Sequence, residues 1–384
     1  MTKNSWLTAV PFSRRIRSWL GSLLAIFTLS ISAPRLLSQG CVCAHLGTPG
    51  LGVEGSSTLP AGHWEASVFF RYYNSRQDVL GNEPLDHPLV YANTHVYGLT
   101  ISATYAVNDR FDVTLDIPFQ YGTRQTWIEH DFMSMSLHTM KAGGPGDMRL
   151  TASLWLFDPK NSPNRNISLS LGVSMPTGID DAKDYSYRAT GKVLRPVDPA
   201  IQPGNGAWGI LLGGHAFTSL SFPQLPHSDW FVNTYAYAEG AYVITPQETN
   251  GVQSTIGDEP VLTGGFKGYI FDAIPDQFLF RAGVAQIVWP SKGVSVSAGL
   301  RWEGVPAHDL VGGDLGWRIP GNSLSFEPGV TWAPRHQDSF SVYVPIAVHR
   351  YAGLDANSES MHMSGPGLAT IADWQLIISY EHQF

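Results

Sequence analysis

Residues 110–122 read RFDVTLDIPFQYG and alternate strictly between two kinds of side chain. One set is apolar: Phe111, Val113, Leu115, Ile117, Phe119 and Tyr121. The set between them is mainly polar: Asp112, Thr114, Asp116 and Gln120. Because successive side chains of a β-strand point to opposite sides, this stretch indicates a strand with one apolar and one polar face.

The same period of two recurs along the chain and predicts thirteen candidate strands. They cover 63–75, 95–107, 110–122, 146–158, 166–178, 206–220, 229–244, 261–272, 278–289, 294–304, 322–333, 338–351 and 369–384. Strands of soluble proteins average about 5–6 residues, whereas a tilted strand that crosses a bilayer needs about 9–11. The fold class is therefore all-β, a transmembrane up-and-down antiparallel β-barrel. An odd strand number cannot place both termini on one side, so we expect twelve strands, with fourteen as the alternative.

Composition agrees with a barrel and excludes two other classes. Charged residues make up only 15% of the chain, aromatic residues make up 12%, and there are 39 glycines. After the first forty residues no run approaches the ~20 apolar residues of a spanning helix, which excludes a helical membrane protein. Beyond residue 40 the chain holds 19 basic and 32 acidic residues, which excludes nucleic acid as a partner.

The N-terminus predicts export. Basic residues precede the apolar stretch WLGSLLAIFTLSI (residues 19–31), as in a signal peptide, and cleavage is expected after Gly40 or Ala44. Residues 1–40 are thus a signal peptide, 41–62 a short periplasmic segment and 63–384 the barrel. Cys41 and Cys43 spell C-x-C-x-H with His45, but a closed metal site needs four ligands, so we expect no metal here and a processed leader end instead.

The connections alternate in length, as bacterial outer-membrane barrels require. Long connections at 76–94, 123–145, 177–205 and 245–260 would be extracellular, and the short ones between them would be periplasmic. Pro290 to Gly293 breaks this alternation, because a long loop is due there. The 177–205 loop carries Asp180, Asp181 and Asp184, which could hold a divalent cation or bridge lipopolysaccharide phosphates, but a solvated acidic loop is the expected reading.

Four segments resemble a known family: YAVNDRFDVTLDIPFQYG (105–122), GGPGDMRLTASLWL (143–156), LSLGVSMPTG (169–178) and PGNGAWGILLG (203–213). They resemble the outer-membrane barrels labelled "putative MetA-pathway of phenol degradation", often called transporters, over roughly residues 95–215. The resemblance implies a passive pore for small solutes, aromatic or apolar compounds among them. Pro118, Pro176 and Pro345 lack a donor for the strand ladder and are expected at bulges or strand ends.

If the apolar face contacts lipid, the polar face lines the lumen. The lumen-facing candidates are Glu65, Arg71, Asp112, Asp116, Asp147, Arg149, Lys267, Arg281, Arg301 and Glu303. Facing acids and bases either order water in a polar channel or pair across the barrel and plug it, and both readings stay open here. The chain has no Gly-x-Ser-x-Gly and no His-Glu-x-x-His motif, so we expect no enzyme and no cofactor. Two alternatives remain, a structural or adhesive barrel that acts through its loops and an outer-membrane hydrolase.

The last residues, DWQLIISYEHQF (373–384), alternate in the same way and stop on an aromatic residue. We interpret them as the final strand, which closes the barrel against the first. Its terminal Phe384, with Tyr380, resembles the signal that the barrel assembly machinery reads. The expected location is the outer membrane of a Gram-negative-type envelope, and the expected partners are that machinery, outer-membrane lipid and lipopolysaccharide, and an unknown small solute.

Overall fold

The computed structural model describes residues 59–86, 92–126, 137–188, 191–220, 233–255, 269–355 and 366–384. The signal-peptide and cysteine predictions therefore lie outside the described residues. Within these ranges the chain is built almost wholly from β-strands, with short 3-10 turns at Pro199–Ile201 and Pro290–Lys292. No helix in the described ranges is long and apolar enough to cross a membrane.

The described strands number nineteen. They are β1 (Trp64–Leu80), β2 (Glu83–Pro84), β3 (Asn93–Asn108), β4 (Phe111–Thr126), β5 (His138–Pro145), β6 (Arg149–Trp155), β7 (Arg165–Ser174), β8 (Lys183–Arg188), β9 (Gly191–Pro196), β10 (Gly209–Leu220), β11 (Thr234–Ile244), β12 (Thr249–Gln253), β13 (Phe271–Ala273), β14 (Gln277–Trp289), β15 (Val294–Val305), β16 (Gly321–Arg335), β17 (Asp338–Tyr343), β18 (Ile346–Ala352) and β19 (Leu368–Gln383).

Fourteen of these strands, β1, β3–β7, β10, β11 and β14–β19, form one closed antiparallel barrel with twelve positions. Neighbours along the chain pair with each other around the ring, and β19 closes it against β1. Two positions are each filled by a pair of shorter strands. β5 and then β6 pair with β4, and β17 and then β18 lie between β16 and β19. The predicted fold and the expected strand number are confirmed.

Prolines mark both divided positions. β5 ends at Pro145, and the amide of Gly146 donates to the carbonyl of Pro118, where β4 changes partner. Pro345 separates β17 from β18, and its carbonyl accepts from the amide of Gln375. A proline cannot donate to a ladder, so the regular pairing stops where it stands.

The candidate strand at 261–272 is wrong as a barrel strand. Residues 261–268 lie outside the described part of the chain, and Phe271 and Asp272 belong to a two-stranded sheet of β12 and β13 in the loop after β11. Alternation of residue type correctly indicated a strand there, but it could not show that this strand lies outside the ring. With this segment removed, 245–276 is one long connection and Pro290–Gly293 falls among the short ones.

The barrel therefore has two unlike ends. The short-turn end holds the connections 109–110, 156–164, 290–293 and 336–337; β10 and β11 also meet there, and residues 221–232 between them lie outside the described part of the chain. The long-loop end holds 81–92, 127–137, 175–208, 245–276, 306–320 and 353–367, including the β8–β9 and β12–β13 hairpins.

The outer face is apolar and carries two aromatic rows. Tyr72 and Tyr97 contact each other as a tilted pair near the long-loop end, and Trp64 and Tyr105 form a second tilted pair near the short-turn end. Eight residues separate the two rows in both β1 and β3, which spans about 26 Å along a strand and about 20 Å along the axis of a barrel whose strands tilt by ~40°. Exposed leucine, isoleucine and valine fill the band between these rows.

Candidate functional site: the barrel interior

The inner face is polar and its side chains are buried inside the ring. β19 shows the pattern: Gln375, Ser379 and Glu381 point inward, while Trp374 and Ile378 are exposed on the outside. Ile377 is the apolar residue of the inward set, and it packs against Phe69 and Tyr343 within the lumen. The interior is thus a mixture of charged, hydroxyl and aromatic groups.

A network of three arginines and three glutamates occupies one half of the interior. Its members are Arg71, Arg281, Arg301, Glu239, Glu303 and Glu327. Their ion-pair distances run from 2.8 Å for Arg71–Glu303 and Arg281–Glu327 to 3.8 Å for Arg281–Glu239. The three charges of each sign balance, so the network adds no net charge to the lumen. All six side chains are buried, which makes each charge depend on its partner.

The Arg71–Glu303 pair reaches through the lumen rather than along the wall. Arg71 stands on β1 and Glu303 on β15, which are four positions apart in the ring. Neighbouring strands lie about 4.8 Å apart, so the path along the wall is about 19 Å. The guanidinium nevertheless donates from Nη2 to both oxygens of Glu303 at 2.8 Å, and Gln375 donates to the same carboxylate. This contact holds opposite parts of the inner surface together.

Aromatic rings support the network from the side. The guanidinium of Arg281 lies 4.7 Å from the ring centre of Tyr343 and 5.6 Å from that of Tyr237. The Tyr343 ring lies flat over Gly329, where an added Cβ would come within 2.3 Å of it. The glycine therefore makes room for a ring on the inner wall, and the ring in turn stacks on the cation.

A second charged pair lies on the opposite wall. Nε of Arg149 is 3.6 Å from Oδ2 of Asp116, and the hydroxyl of Ser102 donates to Oδ1 of Asp116 at 2.6 Å. Closer to the short-turn end, Glu65 accepts from Gln383 at 3.1 Å and Asp112 accepts a hydrogen bond from Ser153. These interior positions place acids of β1 and β4 near the short-turn mouth.

Part of the long loop 175–208 folds into the other mouth. We call residues 196–205 the plug segment. Its Val197 and Ile201 are fully buried and form one apolar cluster with Tyr73, Val96, Met140, Ala142 and Ala372 of the inner face. Gly122 lies directly against this segment, because an added Cβ would be 2.7 Å from Cβ of Ile201.

Polar contacts fix the plug segment to the wall. Arg124 of β4 pairs with Asp198 at 3.2 Å, and Oδ1 of Asp198 caps the 3-10 turn by accepting from the amide of Ala200. The side chain of Gln120 donates to the carbonyl of Gln202 at 2.9 Å. The contacts that hold the plug segment thus include a buried ion pair, a hydrogen bond from the wall and an apolar cluster.

Asp147 lies in the gap between β5 and β6 and ties the base of the same loop. Its two carboxylate oxygens accept from the amides of Gly178 at 2.9 Å and Asn205 at 2.5 Å. This residue was predicted from its alternation to line the lumen, and it does border the cavity beneath the plug segment. Its direct contacts are nevertheless with loop amides.

A cavity that is partly open to solvent lies beneath the plug segment. It is bounded by Arg71 and Arg149, by the rings of Phe69 and Tyr73, and by Asn205 of the plug segment itself. Such a mixture of guanidinium, amide and aromatic groups suits a small solute that has both a polar and an apolar part.

A buried acidic residue of the loop after β11, Asp272, lies close to the plug segment. Burial, together with the charge of Asp198, raises the pKa of Asp272 in β13 well above its ordinary value. Asp272 therefore favours its neutral form, which avoids placing a second anion next to Asp198.

The predicted acidic loop residues do not converge. Asp184 accepts from the amides of Lys141 and Tyr185, and Asp181 pairs with Lys183 at 3.6 Å. Burial, with smaller effects from Asp181 and Asp147, raises the pKa of Asp180. Among the residues that the structure describes, no group of three His, Cys, Asp or Glu side chains is placed to hold a metal.

Lys267 is the one predicted lumen residue outside the described ranges. Sequence reasoning also missed several members of the site: Arg124, Asp198, Glu239, Glu327 and Gln375. Glu327 shares the parity of Ser323 and Ser325, and this alternation could have found it. Asp198 could not be found this way, because it lies in a loop without a period.

The fold defines a class of protein, the membrane-type antiparallel barrel with an apolar outer face. No family model matches the chain and no curated protein matches it, so the resemblance to the phenol-degradation family stays a prediction. Among solved structures, the COG4313 outer membrane channel from Pseudomonas putida F1 is similar, with 13% identity and a TM-score of 0.52 over 88% of this chain and 100% of that one. The P. putida toluene transporter TodX is 8% identical with a TM-score of 0.40, over 91% of this chain and 99% of that one. The CymD monoaromatic hydrocarbon channel is 11% identical with a TM-score of 0.40, over 92% and 99%.

Proposed function

We propose that this protein is an outer-membrane channel for the passive passage of small solutes, and that the structure is its closed state. One observation carries the proposal. A closed twelve-position ring presents exposed leucine, valine and aromatic residues outward and a charged, hydroxyl-rich face inward. In water such a large apolar outer surface would be unfavourable, whereas in a bilayer it is the surface that lipid requires.

The geometry also supports an orientation. The about 20 Å between the aromatic rows is close to the apolar band of an outer-membrane barrel, and such barrels expose long loops outside the cell and short turns to the periplasm. The plug segment would then close the extracellular mouth. The Pseudomonas putida F1 protein with the same fold is an outer membrane channel, which agrees with this function.

The solute class follows from the cavity beneath the plug segment. Phe69 and Tyr73 offer ring surfaces, while Arg71, Arg149 and Asn205 offer donors. We therefore propose small compounds that combine an aromatic or apolar part with a hydrogen-bond acceptor.

Conductance in planar bilayers, measured on the refolded protein, tests the function. We expect stepwise openings and a reversal potential that Glu303→Gln shifts toward anions, because this change removes one negative charge from a neutral network. Leu300→Val, on the outer face of the same strand, is the matched control and should leave the reversal potential unchanged.

A barrel that inserts, as judged by flotation and heat-modifiable migration, but passes neither ions nor small aromatic solutes would overturn the channel proposal. That result would favour the structural or adhesive alternative. A current whose reversal potential is unchanged by Glu303→Gln would show that ions do not pass through the lumen.

A further inference from the structure

The connection 306–320 carries apolar side chains at its tip. Leu310 is 66% exposed and Val311 is 52% exposed. Gly312 and Gly313 follow and pack against Pro246 and Glu248 of the neighbouring loop, where an added Cβ at either glycine would collide. The tip is therefore held in place on its polar side, and its two large apolar side chains remain uncovered.

A single carboxylate oxygen fixes this tip beside the outer face of the barrel. Oδ2 of Asp276 accepts from the backbone amide of Leu310 at 2.8 Å and from the hydroxyl of Tyr242 at 3.0 Å. Tyr242 pairs in register with Phe278, and Gly240 pairs with Phe280, so Tyr242 shares the outward face of the exposed Phe280. Leu310 thus lies next to a ring of the outer aromatic row, not above the lumen.

The outer wall is covered at Phe278 but open two residues further along the same face of β14, at Phe280. Phe278 has the outward parity of Phe280 and packs against Trp302 as a tilted pair with ring centres 4.7 Å apart. Phe280 and Trp302 are 42% and 44% exposed, whereas Phe278 is only 8% exposed. Phe278, which pairs with Tyr242, is therefore covered, and the exposed apolar surface of the wall continues at Phe280 and Trp302.

A buried clasp gives the turn its shape. The guanidinium of Arg318 donates to both oxygens of Asp309 at 2.8 Å, and the amide of Asp309 donates to Asp314 at 2.9 Å. The amide of Asp276 in turn donates to Asp309 at 2.9 Å. These contacts close residues 309–314 into a turn whose free side is Leu310 and Val311.

From this geometry we infer that the tip of the 306–320 connection is an interfacial anchor, which places Leu310 and Val311 in the outer leaflet of the bilayer at the level of the lipid headgroups and upper acyl chains. The inference rests on the proposed function, because it needs the outer face to contact lipid. The occupant is lipid since the apolar tip is continuous with the outward-facing row of Tyr242, Phe278 and Trp302. Apolar side chains at that depth lose contact with water, whereas in a water-facing loop they would stay exposed.

Site-directed spin labelling in proteoliposomes tests the anchor. The label is placed by Leu310→Cys in a background that carries Cys41→Ser and Cys43→Ser, and Leu300→Cys and Lys183→Cys give references for the outer wall and for a water-exposed hairpin. Collision with oxygen reports lipid, and collision with a water-soluble nickel chelate reports solvent. We expect the oxygen-to-nickel ratio at Leu310 to match that at Leu300 and to exceed that at Lys183.

A ratio at Leu310 equal to that at Lys183, with Leu300 still in lipid, would overturn the anchor and leave the proposed function intact. A ratio at Leu300 equal to that at Lys183 would instead contradict membrane insertion itself. Adding Asp276→Ala should lower the ratio at Leu310 toward the solvent value while Leu300 is unchanged. An unchanged ratio at Leu310 would show that Asp276 does not position the tip.

Discussion

The ion pair between Arg124 and Asp198 should decide whether the plug segment stays docked. Its side chains are both about 95% buried from solvent, at an Nε–Oδ2 distance of 3.2 Å. In the variant Arg124→Met, docking of the plug segment would bury the Asp198 carboxylate without the guanidinium of Arg124. The amide of Ala200 would still donate to Asp198.

The magnitude follows from the cost of removing one partner of a buried ion pair. Removing one partner of such a pair costs about 3–5 kcal/mol, and 1.36 kcal/mol corresponds to a factor of ten. The docking equilibrium should therefore shift toward the undocked plug by roughly two to four orders of magnitude. The barrel wall itself should remain folded, because the substitution preserves the backbone pairing of Arg124 with β3 and β5, although it removes the hydrogen bond from Nη1 of Arg124 to the hydroxyl of Thr94.

Single-channel recording gives the assay, with open probability as the readout. Arg124→Met should raise the open probability strongly over that of the unmodified protein. The double variant Arg124→Met/Asp198→Leu should return most of the closure, because a buried ion pair can be replaced by apolar groups of similar volume at little cost. The missing cap at Ala200 would account for about 1 kcal/mol that the double variant does not recover.

Two results would refute this reasoning. An open probability of Arg124→Met equal to that of the unmodified protein would show that the pair does not hold the plug segment. Equal opening in the single and double variants would show that loss of contact, and not the buried charge, drives the change.

Three further predictions concern other parts of the molecule. Gly122→Ala should also increase conductance, since the new methyl would lie 2.7 Å from a plug side chain, whereas Gly98→Ala should not, because its methyl would lie 3.9 Å from the nearest atom. Deletion of Phe384 should lower the yield of heat-modifiable barrel in cells but not the yield of barrel refolded in detergent; equal cellular yields would contradict its role in assembly. Burial acts to raise the pKa of Asp314, but hydrogen bonds with His308 and the amide of Asp309 outweigh burial and lower that pKa. The contribution of Asp314 to the loop clasp is then present at neutral pH and lost as the pH falls below its ordinary value near 3.8, which should appear as faster proteolysis of the 306–320 connection below pH 4 and not at pH 6.

The wall of the barrel could be predicted from the sequence because the alternation of residue types within each strand shows which side chains point inward and which point outward. In residues 110–122 the inward and outward sets follow from alternation alone, and β4 covers them. Alternation fails where a strand is not part of the ring. Phe271 and Asp272 pair with β12 in a loop, and nothing local distinguishes that pairing from a place in the wall.

The interior was predictable only in part, for a related reason. Arg71 and Glu303 could be assigned to the inner face, but their contact depends on ring curvature across three intervening positions. The plug segment is harder still. Ile201 meets Gly122 and Asp198 meets Arg124 from a loop without periodicity, so only the three-dimensional path of that loop brings them together.

The seam between β1 and β19 has a consequence for the order in which the chain can fold. Glu65 and Gln383 join across it although they are 318 positions apart, whereas β3 and β4 meet through a turn of two residues. Closing a loop costs about 0.6 kcal/mol for each doubling of its length, so joining the ends costs about 3 kcal/mol more than closing a ten-residue hairpin.

Local hairpins should accordingly form first, and the ring should close last. Until β19 exists, the edge of β1 exposes unpaired backbone groups that can pair with any other strand. Hydrogen exchange during refolding would then protect the β3 and β4 amides before those of β1 that face β19. In a nascent chain the edge of β1 that faces β19 stays unpaired until β19 has been made, and we predict that a partner guards that edge in the meantime.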